Sequence, residues 1–205
     1  MSAHHNTPSL VLASGSPRRR LLLSIAGYDF AVVSPDIDEV LGPGEPAEEF
    51  VVRMAREKAA AVAGSQPDAT HVIAFDTGVV LDGRILGKPR DESEAVEMLL
   101  SLAGRSHVVL TGYCLAQAGS DDEEWGVDAA KVTLRAVART EAEAYAASGE
   151  PLDKAGAYAL QGKGGGFVTK VEGLRSTVIG LPLEHVVDLL TRRGIMPTRG
   201  EPDAL

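Results

Sequence analysis

Four apolar residues, Leu10 to Ala13, run directly into Ser14-Gly15-Ser16-Pro17-Arg18-Arg19-Arg20, and this junction limits what the chain can fold into more than any other stretch. The apolar run reads as a short buried strand. Ser16 suits a helix N-cap, and Pro17 suits the first helical position, where a missing N–H costs nothing. Leu21, Leu22, Ile25 and Ala26 supply an apolar helix face, and Gly27 ends it. The charge breaks the local rule. A helix N-terminus favours Asp or Glu, yet this first turn carries three arginines. Strand, glycine turn, capped N-terminus and arginine cluster together describe an anion site, most naturally for phosphate. A solvated basic turn is the plain alternative.

The 205 residues suffice for one domain or two small lobes with a sizeable core. Acidic residues outnumber basic ones 29 to 20, which argues against a nucleic-acid partner because a basic face would be needed. It leaves room for a local basic pocket. A single cysteine, Cys114, excludes an internal disulfide and a cysteine-rich zinc site, and its apolar surroundings suggest a buried inert thiol. No apolar stretch reaches the length of a membrane span and no signal-peptide pattern opens the chain, so no membrane partner and a cytoplasmic location are expected. His4 and His5 fall in a polar leader and are given no role.

Downstream, Phe30, Val32 and Val33 suggest a second strand, followed by Asp36-Ile37-Asp38-Glu39 and a Gly/Pro-rich loop from Leu41 to Pro46. The spacing of Phe50, Val51, Met54, Ala55, Ala59 and Val62 predicts a helix over 47–63, with Gly64 past its end. Lys58 lies on or beside that apolar stripe, where it either snorkels to the rim or points into a polar cleft. His71 to Phe75 forms a β-prone run ending on Asp76-Thr77, and Asp82-Gly83 between two apolar runs is a hairpin signal. Gly87-Lys88-Pro89 closes that unit. Asp91 with Glu94 opens a helix that Gly104 stops. Two long strands, 106–118 and 125–137, flank an acidic turn, and Thr140 with Glu143 caps a short helix. A glycine-rich turn at 162–166, a strand over 167–171 and a last helix through Val186 to Leu190 complete the pattern. No internal repeat or long linker appears. Interleaved strands and helices with at least one hairpin indicate an α/β fold with a mixed sheet. One domain is expected over 8–195, with flexible tails at 1–7 and 196–205.

Charge stands where structure alone does not ask for it at the arginine turn, Asp38-Glu39, Asp76-Thr77, Lys88 and Lys58. Cations with separated carboxylates suit phosphate-ester chemistry: the cations neutralise phosphate, and the carboxylates hold a divalent metal or orient a water. Singly, each has a plain alternative, a turn cap for Asp76 and a surface charge for Lys88. Gly162-Lys163-Gly164-Gly165-Gly166 is not a Walker loop, since no Ser or Thr follows the lysine; it reads as a hairpin turn or mobile flap. His71 and His107 lack partners at metal-ligand spacing and read as structural.

From about Leu10 to Leu190 the sequence resembles the Maf family of nucleoside triphosphate pyrophosphatases. The matching stretches are Ala13-Ser14-Gly15-Ser16-Pro17-Arg18-Arg19, Asp38-Glu39, Ala55 to Ala59, Asp76-Thr77, Leu86 to Pro89, Gly104 with His107, Thr111-Gly112, Ser148 to Tyr158, Leu160-Gln161-Gly162 and Val178 to Pro182. The resemblance implies two lobes flanking a nucleotide cleft, related to the inosine triphosphatase fold. It implies cleavage between the α and β phosphates with a divalent cation, Mg²⁺ or Mn²⁺, and a homodimer. Asp76 then looks like the general base or metal-held carboxylate, and Glu39 like a second metal ligand. Ser14, Arg18, Arg19, Lys58 and Lys88 look like the phosphate cradle. An aspartate of ordinary acidity is a weak base at neutral pH, so metal-assisted deprotonation of water is implied. Arg18, Thr77 and Gln161 resemble the branch acting on dTTP and UTP; 7-methyl-GTP hydrolysis and a nucleotide-binding regulator of septum formation are the alternatives. Two residues depart from the family pattern. Phe75 precedes Asp76 where a small residue is usual, and is expected to narrow the base pocket; Gly78 replaces a β-branched residue and is expected to loosen the strand.

Overall fold

A computed structural model describes residues 10–198. Seven strands form one mixed sheet: β1 (Leu10–Ala13), β2 (Ala31–Val32), β3 (His71–Leu81), β4 (Arg84–Leu86), β5 (Ser106–Gln117), β6 (Glu123–Leu134) and β7 (Val168–Glu172). Their order is β2-β1-β3-β5-β6-β7, with β4 paired to β3. β1 runs parallel to β2 and β3, whereas β3, β5, β6 and β7 are antiparallel in succession. The helices are α1 (Pro17–Ile25), α2 (Ala47–Ala63), α3 (Glu92–Leu102), α4 (Arg139–Ala146), α5 (Arg175–Ile179) and α6 (Leu183–Arg192).

Local signals place most of these elements. Ser16 Oγ accepts the Arg19 N–H at 3.5 Å with Pro17 at the first helical position. Asp91 accepts the Glu94 N–H at 2.8 Å, while Glu94 reaches back to the Arg90 N–H. Asp82 and Gly83 both take positive φ, the geometry of a two-residue hairpin turn. The short helix α4 opens differently from expectation. It starts at Arg139, and Glu141 accepts the Ala138 N–H, the place assigned to Thr140 and Glu143.

β3 is longer than its sequence suggests. It passes through Asp76, Thr77 and Gly78 without a break, because β5 pairs with it continuously from His71↔Gln117 to Val80↔Val108. β1 stops opposite Ala74, so Asp76 and Thr77 lie just beyond the end of the parallel strand. Alternation along β3 then sorts its side chains. Val72 and Ala74 pack with Ala55, Ala59 and Val62 of α2, whereas Ile73 and Phe75 pack with Leu23 of α1 and Val186, Leu189 and Leu190 of α6. Beyond the cleft, Val79 and Leu81 join a separate core with α3, α4 and Phe167. These cores share one sheet, which is how two lobes arise without a linker.

This alternation corrects two expectations. Phe75 is fully buried on the face opposite Asp76 and does not touch the cleft. Gly78 does not loosen the strand: a Cβ there would lie 2.7 Å from Ile85 Cδ1, so glycine allows the hairpin to fold over it. The glycine-rich segment is likewise no flap. Residues 163–167 form a 3-10 turn in which Gly164 is buried, and Glu150 accepts the N–H groups of Lys163 and Gly164, both at 3.1 Å. Met196 to Thr198 do not begin a free tail; Thr198 donates from N–H to the Gly27 carbonyl at 2.9 Å and from Oγ1 to Asp29 at 2.7 Å. His4, His5 and the remainder of both expected tails lie outside the described residues. Cys114 is buried, and burial raises its thiol pKa to about 12, consistent with an inert side chain.

Helix α2 passes close over β5 at Gly112, where a Cβ would sit 2.4 Å from the Val51 carbonyl oxygen. That neighbour is backbone and cannot rotate aside. Gly112→Ala is therefore expected to destabilise the protein by about 2 kcal/mol or more through overpacking, read as a lower denaturation midpoint with unchanged slope. An unchanged midpoint would mean that α2 can shift freely.

Candidate active site

The end of β1, the start of α1, the middle of β3 and the segment 153–161 enclose a cavity of about 450 Å³, within the range of small-molecule sites. Ser14, Arg18, Arg19, Glu39, Lys58, Asp76, Thr77, Lys88 and Gln161 all line it. Chain folding brings together every residue given a site role from the sequence, whereas Arg20 and Asp38, flagged beside them, do not line the cavity.

One wall is an alternating chain of charges. Asp76 Oδ1 accepts a hydrogen bond from Lys58 Nζ at 2.5 Å, and both residues are buried. The same ammonium lies 2.6 Å from Glu39 Oε1, and Lys88 Nζ lies 3.2 Å from Glu39 Oε2. Lys58 reaches this point because it falls four residues after Met54 and seven after Val51 on the buried stripe of α2. It does not snorkel. Asp76 meets it because even-numbered β3 residues face α2. Burial alone would raise the Glu39 pKa, but the Lys58 hydrogen bond and the charges of Lys58 and Lys88 hold it below the ordinary carboxylate value. The Lys88 turn is fixed from below, where the Gly156 N–H donates to the Gly87 carbonyl at 3.0 Å. Gly156 has φ +67 and lies so close to Val79 that a Cβ would approach to 2.8 Å, so this contact requires glycine.

The second wall is the arginine turn. Arg19 donates from Nε to the Gly180 carbonyl at 2.8 Å, from Nη1 to Ser14 Oγ at 3.2 Å and from Nη2 to Thr77 Oγ1 at 3.0 Å. Burial lowers the Arg19 pKa, while Asp76 and Glu39 oppose the shift. Ser14 Oγ also accepts the Ser16 N–H at 3.2 Å. With both lone pairs engaged, the Ser14 hydroxyl proton is free to be donated into the cleft. Arg18 and Gln161 make no side-chain hydrogen bond among the described residues and border the open space.

Asp153 and Lys154 belong to the opposite wall and form an ion pair. Both fall in the matching stretch Ser148 to Tyr158, where residue type and spacing alone give neither a role. The usable signal was a lysine directly before Ala155-Gly156, whose side chain is 11% exposed although it carries a charge. Five cationic side chains and three carboxylates thus line the cavity of a chain whose net charge is −9. The local excess is positive where the whole is negative, and such a cleft concentrates an anionic ligand.

Neither His107 nor His71 lines the cavity. His107 Nε2 lies 2.7 Å from the Tyr158 hydroxyl, and Tyr158 lines the cleft. Burial lowers the His107 pKa from 6.5 to about 4. Below pH 6.5 the unfolded chain takes up a proton that the folded imidazole refuses until about pH 4, so stability is lost as the pH falls through that window. Between pH 7 and pH 5 the expected loss is about 2 kcal/mol. His107→Gln should flatten the dependence in denaturation curves at pH 7 and 5, and an equal slope in both proteins would contradict it.

Cationic groups, a hydroxyl donor and three carboxylates around one cavity, beside a strand end and a capped helix, are the groups that phosphate-ester chemistry uses, here in an α/β protein. The sequence model described as Maf-like protein matches residues 9–193, and the chain belongs to the Maf family. It is 54% identical over 186 residues to the dTTP/UTP pyrophosphatase of Myxococcus xanthus, covering 91% of this chain and 93% of that one. It is 50% identical to the dTTP/UTP pyrophosphatase of an Anaeromyxobacter species (90% and 89% covered) and 46% identical to that of Salmonella typhimurium (89% and 92% covered). Among solved structures, a nucleoside-triphosphatase, dITP/XTP pyrophosphatase, from Mycobacterium abscessus aligns over 91% of this chain and 95% of its own, with TM-score 0.42 and 18% identity. No helix of the described residues is long and apolar enough to cross a membrane.

Proposed function

We propose that this chain hydrolyses dTTP and UTP to the nucleoside monophosphate and pyrophosphate. The observation that carries the proposal is the convergence of Arg18, Arg19, Lys58 and Lys88 with Asp76 and Glu39 on one cavity, in a chain about half identical to dTTP/UTP pyrophosphatases. In this reading the cations and the Ser14 hydroxyl hold the phosphates and stabilise charge that builds on the leaving pyrophosphate. Asp76, held in place by Lys58, takes a proton from the water that attacks the α phosphorus. The bond from the α phosphorus to the bridging oxygen breaks, and that oxygen leaves with pyrophosphate. Gln161 offers both a donor and an acceptor to a pyrimidine edge.

The resemblance also implies a divalent cation, Mg²⁺ or Mn²⁺. Among the described residues no three His, Cys, Asp or Glu side chains cluster, so the protein alone supplies no full coordination cage. The residues nonetheless fit an ion of the Mg²⁺ type, which takes one or two carboxylates and completes its shell with waters and substrate phosphates. Asp76 and Glu39 would hold it; Asp76 Oδ2 accepts no hydrogen bond within the described residues. Bound there, it would acidify a water and offset phosphate charge. Homodimeric assembly belongs to the same reading and rests on the resemblance alone; a cytoplasmic setting is carried over from the sequence expectation.

The test is pyrophosphate release from dTTP, UTP, 7-methyl-GTP and the purine triphosphates with Mg²⁺ or Mn²⁺. The expected result is turnover of dTTP and UTP above all others. Preferential turnover of 7-methyl-GTP, or binding without release, would replace the proposal by one of its alternatives.

A further inference from the structure

The buried Thr111 hydroxyl lies behind the cleft wall and touches neither the cavity nor any charged group. Its partners fix its proton. Thr111 Oγ1 donates to the Thr177 main-chain carbonyl at 2.8 Å, and a carbonyl can only accept. Thr111 Oγ1 and Thr77 Oγ1 are 3.0 Å apart, and Thr111 has no second proton, so Thr77 must donate to Thr111. That leaves Thr77 Oγ1 as an acceptor toward Arg19 Nη2, a group that can only donate. Every hydrogen in the row from Arg19 through Thr77 and Thr111 to Thr177 therefore points one way.

The far end is anchored as well. Thr177 is buried, and its own hydroxyl donates to Asp128, which holds α5 and the accepting carbonyl against β6. The near end is braced by two more contacts: the Gly180 carbonyl on Arg19 Nε, and the Phe75 ring, whose centroid lies 5.7 Å from the guanidinium carbon. Phe75, one of the two residues that depart from the family pattern, thus supports the arginine from the face opposite Asp76.

We infer that Thr111 is a positioning residue for the nucleotide site: it turns the Thr77 hydroxyl so that the oxygen faces Arg19, and thereby sets the guanidinium for the phosphates. A consequence is that Thr77, its one proton committed to Thr111, cannot donate to a phosphate oxygen; toward the cleft it can only accept. This inference rests on the reading of the cleft as a triphosphate site.

Thr111→Val keeps shape and removes the hydroxyl. The expected result is a five- to tenfold rise in KM for dTTP with kcat changed less than twofold, because one oriented hydrogen bond is worth about 1 kcal/mol. A purely structural defect lowers the fraction of active enzyme instead, so it depresses apparent kcat and leaves KM alone. Thr111→Ser restores the hydroxyl and should restore KM. Thr77→Val, on the cleft lip, should raise KM as much as Thr111→Val, and the double variant should be no worse than either, which keeps the test open even if Thr111→Val folds poorly. An unchanged KM, a loss confined to kcat, or additive effects in the double variant would overturn the inference. Absence of dTTP and UTP hydrolysis by the unaltered protein would instead remove the reading beneath it.

Discussion

Asp76→Asn is expected to lower kcat for dTTP by about 10³-fold, within the range that a positioned acid–base group contributes. Nucleotide affinity should change by less than about threefold. The reason for the split is geometric. The amide oxygen can still accept from Lys58 Nζ, so the cationic wall that holds the phosphates keeps its shape, while the capacity to take a proton is gone. Single-turnover hydrolysis and calorimetric titration of the same preparation measure the two quantities. Retention of more than a tenth of the wild-type rate would place the proton acceptor elsewhere.

Lys58→Met should damage both stability and activity. Lys58 and Asp76 are 7% exposed each, and the ammonium stands between two carboxylates at 2.5 and 2.6 Å. Removing it leaves a buried carboxylate without its partner, an effect that costs about 3–5 kcal/mol at comparable sites. kcat/KM for dTTP should fall at least a hundredfold, since both the phosphate contact and the anchor of Asp76 are lost. Adding Asp76→Asn to Lys58→Met should restore a large part of the lost stability and none of the activity. Denaturant unfolding of the four proteins yields the coupling directly. A Lys58→Met protein as stable as wild type would show that the pair is solvated and that the burial argument fails.

What the sequence disclosed followed from how local each signal is. Helix α2 occupies its expected span, 47–63, because a continuous apolar stripe and acidic first-turn residues are contained within it. Ser16 and Asp91 declare their helices for the same reason. The continuation of β3 through Asp76, Thr77 and Gly78 was not legible, because a polar pair followed by glycine has the local pattern of a strand end; the pairing partner that sustains it, β5, lies some thirty residues away. Phe75 was misplaced for a related cause: whether a bulky neighbour of the acid crowds the cleft depends on strand alternation across that same unrecognised continuation. Glu150 explains the glycine-rich turn. Nothing near Gly164 in the chain foretells a carboxylate arriving from fourteen residues upstream to accept its N–H. Family resemblance and misplaced charge point to Arg19 and Thr77, and Thr111 falls in a matching stretch, but the direction of the hydrogen bonds that join the three carries no signal in one dimension.

In the proposed reaction, water attacks the innermost phosphorus of a pyrimidine triphosphate held in this cleft. Hydrolysis of dTTP in ¹⁸O-labelled water, with mass analysis of both products, tests it most directly. The account predicts one labelled oxygen in the nucleoside monophosphate and unlabelled pyrophosphate. Label in the pyrophosphate, or formation of diphosphate and inorganic phosphate, would contradict it.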